Sequence, residues 1–164
     1  ESAFSGSTSL SKSVHCAAPA SKSIFVIHGH DELNRRRLVE MLREEFALSP
    51  VVILSQPGKS QTTIEKFEEH ASACSYAISL LTPDDSVTNK ASGACLQARP
   101  NVIFETGWFA GRLGRERVLI LLQESVRIHS DLEGINQHRF KDSVEERFRD
   151  IQRELEVAGL VQRR

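Results

Sequence analysis

The sequence predicts an α/β domain with a doubly wound parallel sheet of about five strands. Four apolar runs are continuous rather than alternating, which indicates strands that are covered on both faces. These runs occupy residues 24–27, 51–54, 76–81 and 118–122. Stretches with helical periodicity separate them, as expected for a sheet between two layers of helices. The arrangement is flavodoxin-like, and a weaker fifth strand is expected near residues 135–140.

Length and charge narrow the class of protein. The 164 residues include 21 Lys and Arg and 22 Asp and Glu, for a formal net charge of -1, so the chain lacks the basic field that binds nucleic acid. No apolar run approaches the roughly 18 residues that span a membrane. The three cysteines form no C-x-x-C pair, so neither a disulfide framework nor a zinc site is expected. We expect a cytoplasmic protein without nucleic-acid or membrane partners.

The first residues differ in composition from the rest of the chain. Residues 1–21 are rich in serine and contain few large apolar side chains, a composition that cannot bury enough surface to offset its ordering entropy. We expect a flexible linker over residues 1–21 and one folded domain over residues 22–164.

The first and last helices have clear boundary signals. Asp31 is placed to cap the first helix, and its buried side is predicted to carry Leu38, Met41, Leu42 and Phe46. The last helix begins with a capping box at residues 143–146 and ends at Gly159. Its apolar stripe comprises Val144, Phe148, Ile151, Leu155 and Ala158.

The two central helices are predicted from similar signals. A capping box at residues 62–65 begins the second helix, with Ile64 and Phe67 expected to face inward. The third helix is predicted over residues 102–113, with Asn101 as its cap.

Ligands of doubly wound sheets bind outside the carboxyl ends of the strands, so the residues that follow each strand are candidate site residues. After the first strand, Gly29 permits a sharp turn between His28 and His30. We expect these histidines to line a loop. A metal site is not expected, because the sequence shows no carboxylate or further histidine cluster that would complete three or four ligands.

Two further strand ends carry weaker signals. Pro57 and Gly58 predict a turn that leaves Lys59 ahead of a helix amino terminus, which is either an anion-binding position or a plain surface turn. Asp84 and Asp85 follow the third strand and either contact a ligand or form a solvated turn.

The third helix contains the most informative side chain. Helical spacing places Glu105 on the same side as Trp108, Phe109 and Arg112. A carboxylate on such a face is costly unless it is paired or functional. Either Glu105 forms a structural ion pair with Arg112 or Arg99, or it takes part in chemistry.

Five motifs together resemble a known family. They are H-G-H-D-E at residues 28–32, Q-P-G-K at 56–59, L-L-T-P-D-D at 80–85, R-x-N-V-I-F-E-x-G at 99–107 and G-R-L-G-R-E at 111–116. The set resembles the bacterial TIR-like domains described as predicted nucleotide-binding proteins. These are effector domains of cyclic-oligonucleotide and Pycsar anti-phage systems, including the TIR part of bacterial TIR-STING fusions. The resemblance covers about residues 22–160, with departures at Pro100, Thr106 and residues 86–98.

The resemblance implies a domain that cleaves NAD+ as its substrate and needs no further cofactor. Glu105 matches the family's catalytic glutamate. Nicotinamide leaves NAD+ as a neutral amine, so the general acid of ordinary glycosidases is dispensable, and an ionised Glu105 would stabilise charge at the anomeric carbon. The implied substrate-binding residues are His28, Gly29, His30, Asp31, Gly58, Lys59, Asp84 and Trp108, although Trp108 also suits a core or interface.

The resemblance further implies activation by self-association through TIR–TIR contacts, with a cyclic-nucleotide or other sensor domain outside this chain. Three other hypotheses for the function stay open. They are a noncatalytic TIR adaptor, an enzyme resembling nucleoside deoxyribosyltransferases, and a nucleotide-binding domain without turnover.

Overall fold

The computed structural model describes residues 21–53, 63–90 and 93–162. Its strands are β1 (Ser23–His28), β2 (Ser49–Val51), β3 (Tyr76–Leu81), β4 (Asp85–Asn89), β5 (Gly93–Gln97), β6 (Val118–Gln123) and β7 (Asn136–Phe140). Its α-helices are α1 (Glu32–Glu44), α2 (Thr63–Ser72), α3 (Pro100–Leu113) and α4 (Phe148–Val157). Residues 1–20 lie outside the described part, so the linker stays a prediction.

The main sheet has five parallel strands in the order β2-β1-β3-β6-β7. This confirms the doubly wound α/β fold, including the weaker fifth strand. The strand order is that of flavodoxin-like sheets, in which the order reverses between the first strand and its inner neighbour. The switch point therefore lies between the carboxyl ends of β1 and β3.

Helices cover both faces of the sheet, and each face has its own core. The core under α1 and α4 includes Leu38, Leu42, Ile151 and Leu155. The core under α2 and α3 includes Phe67, Ala71, Val102 and Phe109. Strand β1 contributes Ile24 and Val26 to the first core and Phe25 and Ile27 to the second, which explains why its apolar run is continuous.

The boundary signals of the first and last helices are confirmed. Asp31 Oδ1 accepts a hydrogen bond from the Asn34 backbone N–H at 2.9 Å. Glu146 Oε1 accepts the Ser143 backbone N–H at 2.8 Å, completing the predicted capping box. The segment begins as one 3-10 turn, Val144–Arg147, and continues as α4. Gly159 follows it with a positive φ of 74°.

Two predictions near α2 need correction. Strand β2 pairs with β1 over Ser49–Val51, whereas the sequence predicts residues 51–54. Val52 and Ile53 pack against the two cores without ladder pairing, and Leu54 lies outside the described residues. In α2, Phe67 is buried but Ile64 is 51% exposed. Ile64 shares the buried side of the helix but lies in its first turn, which the core does not cover. The predicted cap Thr62 lies outside the described residues.

Around α3, one prediction fails and one element was not predicted. Asn101 does not cap α3; Arg99 is the N-cap residue and Pro100 begins the helix, in keeping with the preference of proline for the first helical position. The segment between β3 and α3, for which the sequence analysis predicts no strands, contains the antiparallel hairpin of β4 and β5. No α-helix in the described ranges is long and apolar enough to cross a membrane.

Candidate functional site

The loops that follow β1 and β3 meet at the switch point. The His30 backbone N–H donates to Asp84 Oδ1 at 3.1 Å, and the Thr82 hydroxyl donates to the same oxygen at 3.0 Å. The structure therefore brings together two of the predicted substrate-binding residues, His30 and Asp84. It does so through the backbone of one and the carboxylate of the other.

Gly29 makes room for the Asp84 carboxylate. A Cβ at Gly29 would overlap Asp84 Oδ2, so close approach of the two loops requires glycine here. Asp84 Oδ2 is itself buried and has no hydrogen-bond partner among the described residues. Asp84 thus holds the loop after β1 with one oxygen and packs against it with the other.

The side chains of His28 and Asp31 form hydrogen bonds with nearby residues of the chain. The His28 Nδ1–H donates to the Gly29 carbonyl at 2.9 Å. The Asp31 carboxylate caps α1 and also accepts from the Asn34 side-chain amide at 2.8 Å. Asn34 in turn accepts the Val144 backbone N–H at 3.0 Å, so Asp31 helps to join α1 to the start of the last helix. The loop of residues 28–31 is therefore tightly held.

Arg99 joins this loop to α3. Its Nη1 donates to His30 Nε2 at 2.6 Å, and its backbone carbonyl accepts from the first turn of α3. The sequence suggested Arg99 only as a possible partner of Glu105. Arg99 directly precedes the helix that carries Glu105. This position could have identified it as a candidate site residue.

Glu105 is half-buried on α3 and bears no neutralising partner. Its carboxylate forms no hydrogen bond or ion pair within the part of the chain that the structure describes. The structural pairs with Arg112 and Arg99 are not formed, because Arg112 lies over the Trp108 ring at 5.2 Å and Arg99 contacts His30. Burial raises the pKa of Glu105 to about 7, since removal from water penalises the ionised form.

Helix α3 turns Glu105 towards α2. The buried stripe of α3 contains Val102, Thr106 and Phe109, and helical spacing places Glu105 and Trp108 together on one flank of that stripe. Trp108 meets Phe67 of α2 edge-on, with the ring centroids 5.0 Å apart. The Glu105 flank therefore faces α2. Trp108 packs in an aromatic cluster, so its role towards a substrate stays a prediction.

Thr106 fixes α3 against the sheet. Its buried hydroxyl donates to the Val102 carbonyl at 2.6 Å and lies 2.6 Å from the Ser79 hydroxyl of β3. This departure from the family motif thus forms a polar contact between helix and strand one residue from Glu105. Rigid elements hold a site more precisely than loops do.

Gly58 and Lys59, the remaining predicted substrate-binding residues, lie outside the described residues. A cleft of about 540 Å³ lies away from Glu105: Pro100 and Ile103 line it, on the opposite flank of α3. Within the described ranges no group of three or more His, Cys, Asp or Glu could hold a metal ion.

The fold and the site define an α/β domain with a switch-point crevice and a single unneutralised acid on the adjoining helix. A family model described as "CAP12/Pycsar effector protein, TIR domain" matches residues 23–142. The chain therefore belongs to the family of CAP12/Pycsar effector TIR domains, which confirms the resemblance.

Individual relatives agree with this assignment. The chain is 42% identical over 118 residues to the uncharacterized protein YuaY of Escherichia coli, covering 71% of this chain and 39% of YuaY. It is 44% identical over 78 residues to the Pycsar effector protein PaPycTIR of Pseudomonas aeruginosa, covering 46% and 25%. It is 28% identical over 134 residues to CD-NTase-associated protein 12 of Niabella drilacis, covering 76% and 41%. The matched region thus spans well under half of each of these relatives.

Proposed function

We propose that this domain is an NAD+ glycohydrolase that acts as an effector in anti-phage defence. It cleaves the bond between nicotinamide and ribose and releases nicotinamide with ADP-ribose or its cyclised form. Glu105 is the catalytic residue, NAD+ is the substrate, and no further cofactor takes part. The observation that supports this most is the half-buried Glu105, which has no partner in the described structure and whose pKa is raised to about 7.

The chemistry requires charge stabilisation rather than proton donation. Nicotinamide carries a positive charge in NAD+ and leaves as a neutral molecule, so no acid has to protonate the leaving group. Positive charge develops at the anomeric carbon as the bond breaks. An ionised Glu105 beside that carbon stabilises the transition state more than the ground state, which is the condition for catalysis.

The environment of Glu105 suits that role. Because no described cation neutralises the carboxylate, its field is available to a bound substrate. A half-buried position also weakens screening by water, so charge at the anomeric carbon is felt more strongly than at an exposed site. The cationic nicotinamide favours the ionised carboxylate and so offsets the cost of burial.

The decisive experiment compares Glu105→Gln with wild type. Both proteins are clustered at equal density on lipid vesicles through a terminal tag and incubated with NAD+, and free nicotinamide is followed by chromatography. We expect Glu105→Gln to lower the rate by at least about 100-fold, the loss typical of removing one electrostatic contributor. In wild type kcat/KM should rise with pH through about 7 as Glu105 ionises.

Glu116→Gln is the matched control, because Glu116 is exposed and lies between α3 and β6 at the amino edge of the sheet. Its rate should equal that of wild type. Equal nicotinamide release by wild type and Glu105→Gln would refute the catalytic assignment. Turnover of 2′-deoxynucleosides instead of NAD+ would favour the deoxyribosyltransferase reading, and saturable NAD+ binding without release would favour a binding domain.

A further inference from the structure

Arg99 is a cation without a described counter-ion at the switch point. Its guanidinium contacts the His30 ring, and no ion pair joins it to any acid among the described residues. A guanidinium has five N–H donors, and the imidazole nitrogen occupies only one of them. The remaining donors are free to bind an anion in the crevice between β1 and β3.

No nearby acid forms an ion pair with Arg99 among the described residues. Asp84 uses Oδ1 for the His30 N–H and the Thr82 hydroxyl, and its Oδ2 is buried against Gly29. Asp31 is committed to Asn34. Glu105 lies six residues further along α3, about 9 Å away along the helix axis at 1.5 Å per residue.

The start of α3 adds to this positive field. Arg99 is the N-cap residue, yet no side chain caps the helix. The amino end of a helix carries a partial positive charge that favours anions within its first turn. His30 contributes as well, because its Nε2 accepts from Arg99 and its Nδ1 is left as a donor.

We propose that Arg99 binds the diphosphate of the dinucleotide substrate. This inference rests on the proposed function, in which Glu105 faces the anomeric carbon of the nicotinamide ribose. The diphosphate is one ribose away from that carbon, which matches the placement of Arg99 at the start of the helix and Glu105 in its second turn. Arginine suits the role because its planar fork pairs with phosphate oxygens through two parallel hydrogen bonds.

The test measures binding without catalysis. ADP-ribose and adenosine are titrated by calorimetry into clustered wild type, Arg99→Gln, Arg99→Lys and Arg153→Gln. Arg153 is the matched control, since it is exposed on α4 in the opposite helical layer. We expect Arg99→Gln to weaken ADP-ribose binding at least tenfold and to leave adenosine binding unchanged, consistent with the loss of charge-assisted hydrogen bonds. Arg99→Lys should retain part of the affinity, and Arg153→Gln all of it.

Three outcomes would overturn the inference. They are wild-type protein that binds ADP-ribose no better than adenosine, unchanged ADP-ribose affinity in Arg99→Gln, and an equal loss for both ligands, which would mean that Arg99 only holds the loop. Nicotinamide release by Glu105→Gln tests the proposed function separately. Arg99 can therefore prove to bind the diphosphate even if Glu105 is not catalytic. Glu105 can likewise prove catalytic even if Arg99 does not bind the diphosphate.

Discussion

At the scale of single residues, Glu105 and Arg99 are complementary charges that the fold keeps apart. Arg99 is the N-cap residue of the helix that carries Glu105. The guanidinium contacts His30, and the carboxylate has no partner in the described structure. An ion pair between them would neutralise both. Kept apart, the Glu105 carboxylate suits the cationic end of a dinucleotide. The Arg99 guanidinium suits its anionic centre.

This separation has a cost that stability measurements can detect. The pKa of Glu105 is raised from 4.5 to about 7, so the folded state binds the proton more tightly than the unfolded state. The contribution of Glu105 protonation to the free energy of unfolding is present in full below about pH 4.5. It is lost as pH rises through about 7. At pH 8, Glu105→Gln should therefore be more stable than wild type by about 1–3 kcal/mol, because one pKa unit corresponds to roughly 1.4 kcal/mol.

Urea denaturation at pH 8 and pH 4.5 checks this expectation. The advantage of Glu105→Gln should shrink towards pH 4.5. Glu116→Gln, at an exposed position, should bring no comparable gain in stability at pH 8. A glutamine variant that is less stable at pH 8 would show that the Glu105 carboxylate is paired in solution.

At the scale of elements, the loop after β1 is the part of the site most dependent on close packing. Gly29, His30 and Asp84 form one contact between neighbouring strand ends, and Arg99 ties that contact to α3. A change in this loop should therefore affect both stability and substrate binding.

Gly29→Ala tests the close approach. The added Cβ would displace Asp84 and break its hydrogen bonds to His30 and Thr82, so we expect a loss of about 1–3 kcal/mol in the free energy of unfolding. The KM for NAD+ should rise as the loop loses its position. Gly107→Ala is the control, because nothing lies within 4 Å of a Cβ built there and alanine favours a helix. Equal stability of Gly29→Ala and wild type would show that Asp84 moves aside without cost.

Elements buried on both faces were predictable to within a residue or two. The apolar runs at residues 76–81 and 118–122 correspond to β3 and β6, because a strand covered on both faces must be apolar throughout. The hairpin of β4 and β5 offered no such signal. Much of β5 is exposed, and its position depends on a bridge from Leu96 to Val126, far along the chain.

The site was predictable in the same uneven way. Parallel neighbours bring their carboxyl ends to one edge, so proximity of the loop after β1 to Asp84 follows from strand order alone. The contact of Arg99 with His30 joins residues 69 positions apart through side chains, and no periodicity encodes it. The sequence also does not predict that Glu105 lacks a partner. Helical spacing permits an ion pair between Glu105 and Arg112, but Arg112 forms a cation–π contact with Trp108 instead.

At the scale of the whole molecule, the carboxyl edge of the sheet combines the candidate site with exposed apolar side chains. Leu33 and Ile64, in the first turns of α1 and α2, are 58% and 51% exposed, and Phe104, beside Glu105, is 53% exposed. Large apolar side chains next to a site are typical of surfaces that contact a partner. The matched region is also only part of its relatives, 39% of YuaY for example. The exposed apolar side chains support the proposal that the activity of the domain depends on assembly.

That dependence predicts how activity scales with concentration. Isolated domain at low concentration should release nicotinamide slowly, and the rate per molecule should rise at least tenfold when the same amount is clustered on vesicles, because association of the second copy becomes effectively intramolecular. Phe104→Gln should reduce this gain, and clustered Glu105→Gln should stay inactive. A rate per molecule that is constant from dilute to clustered protein, with no activating ligand present, would contradict the proposal that activity depends on assembly. If Phe104→Gln removes the gain while ADP-ribose affinity stays intact, assembly acts on the Glu105 end of the site rather than on the diphosphate end.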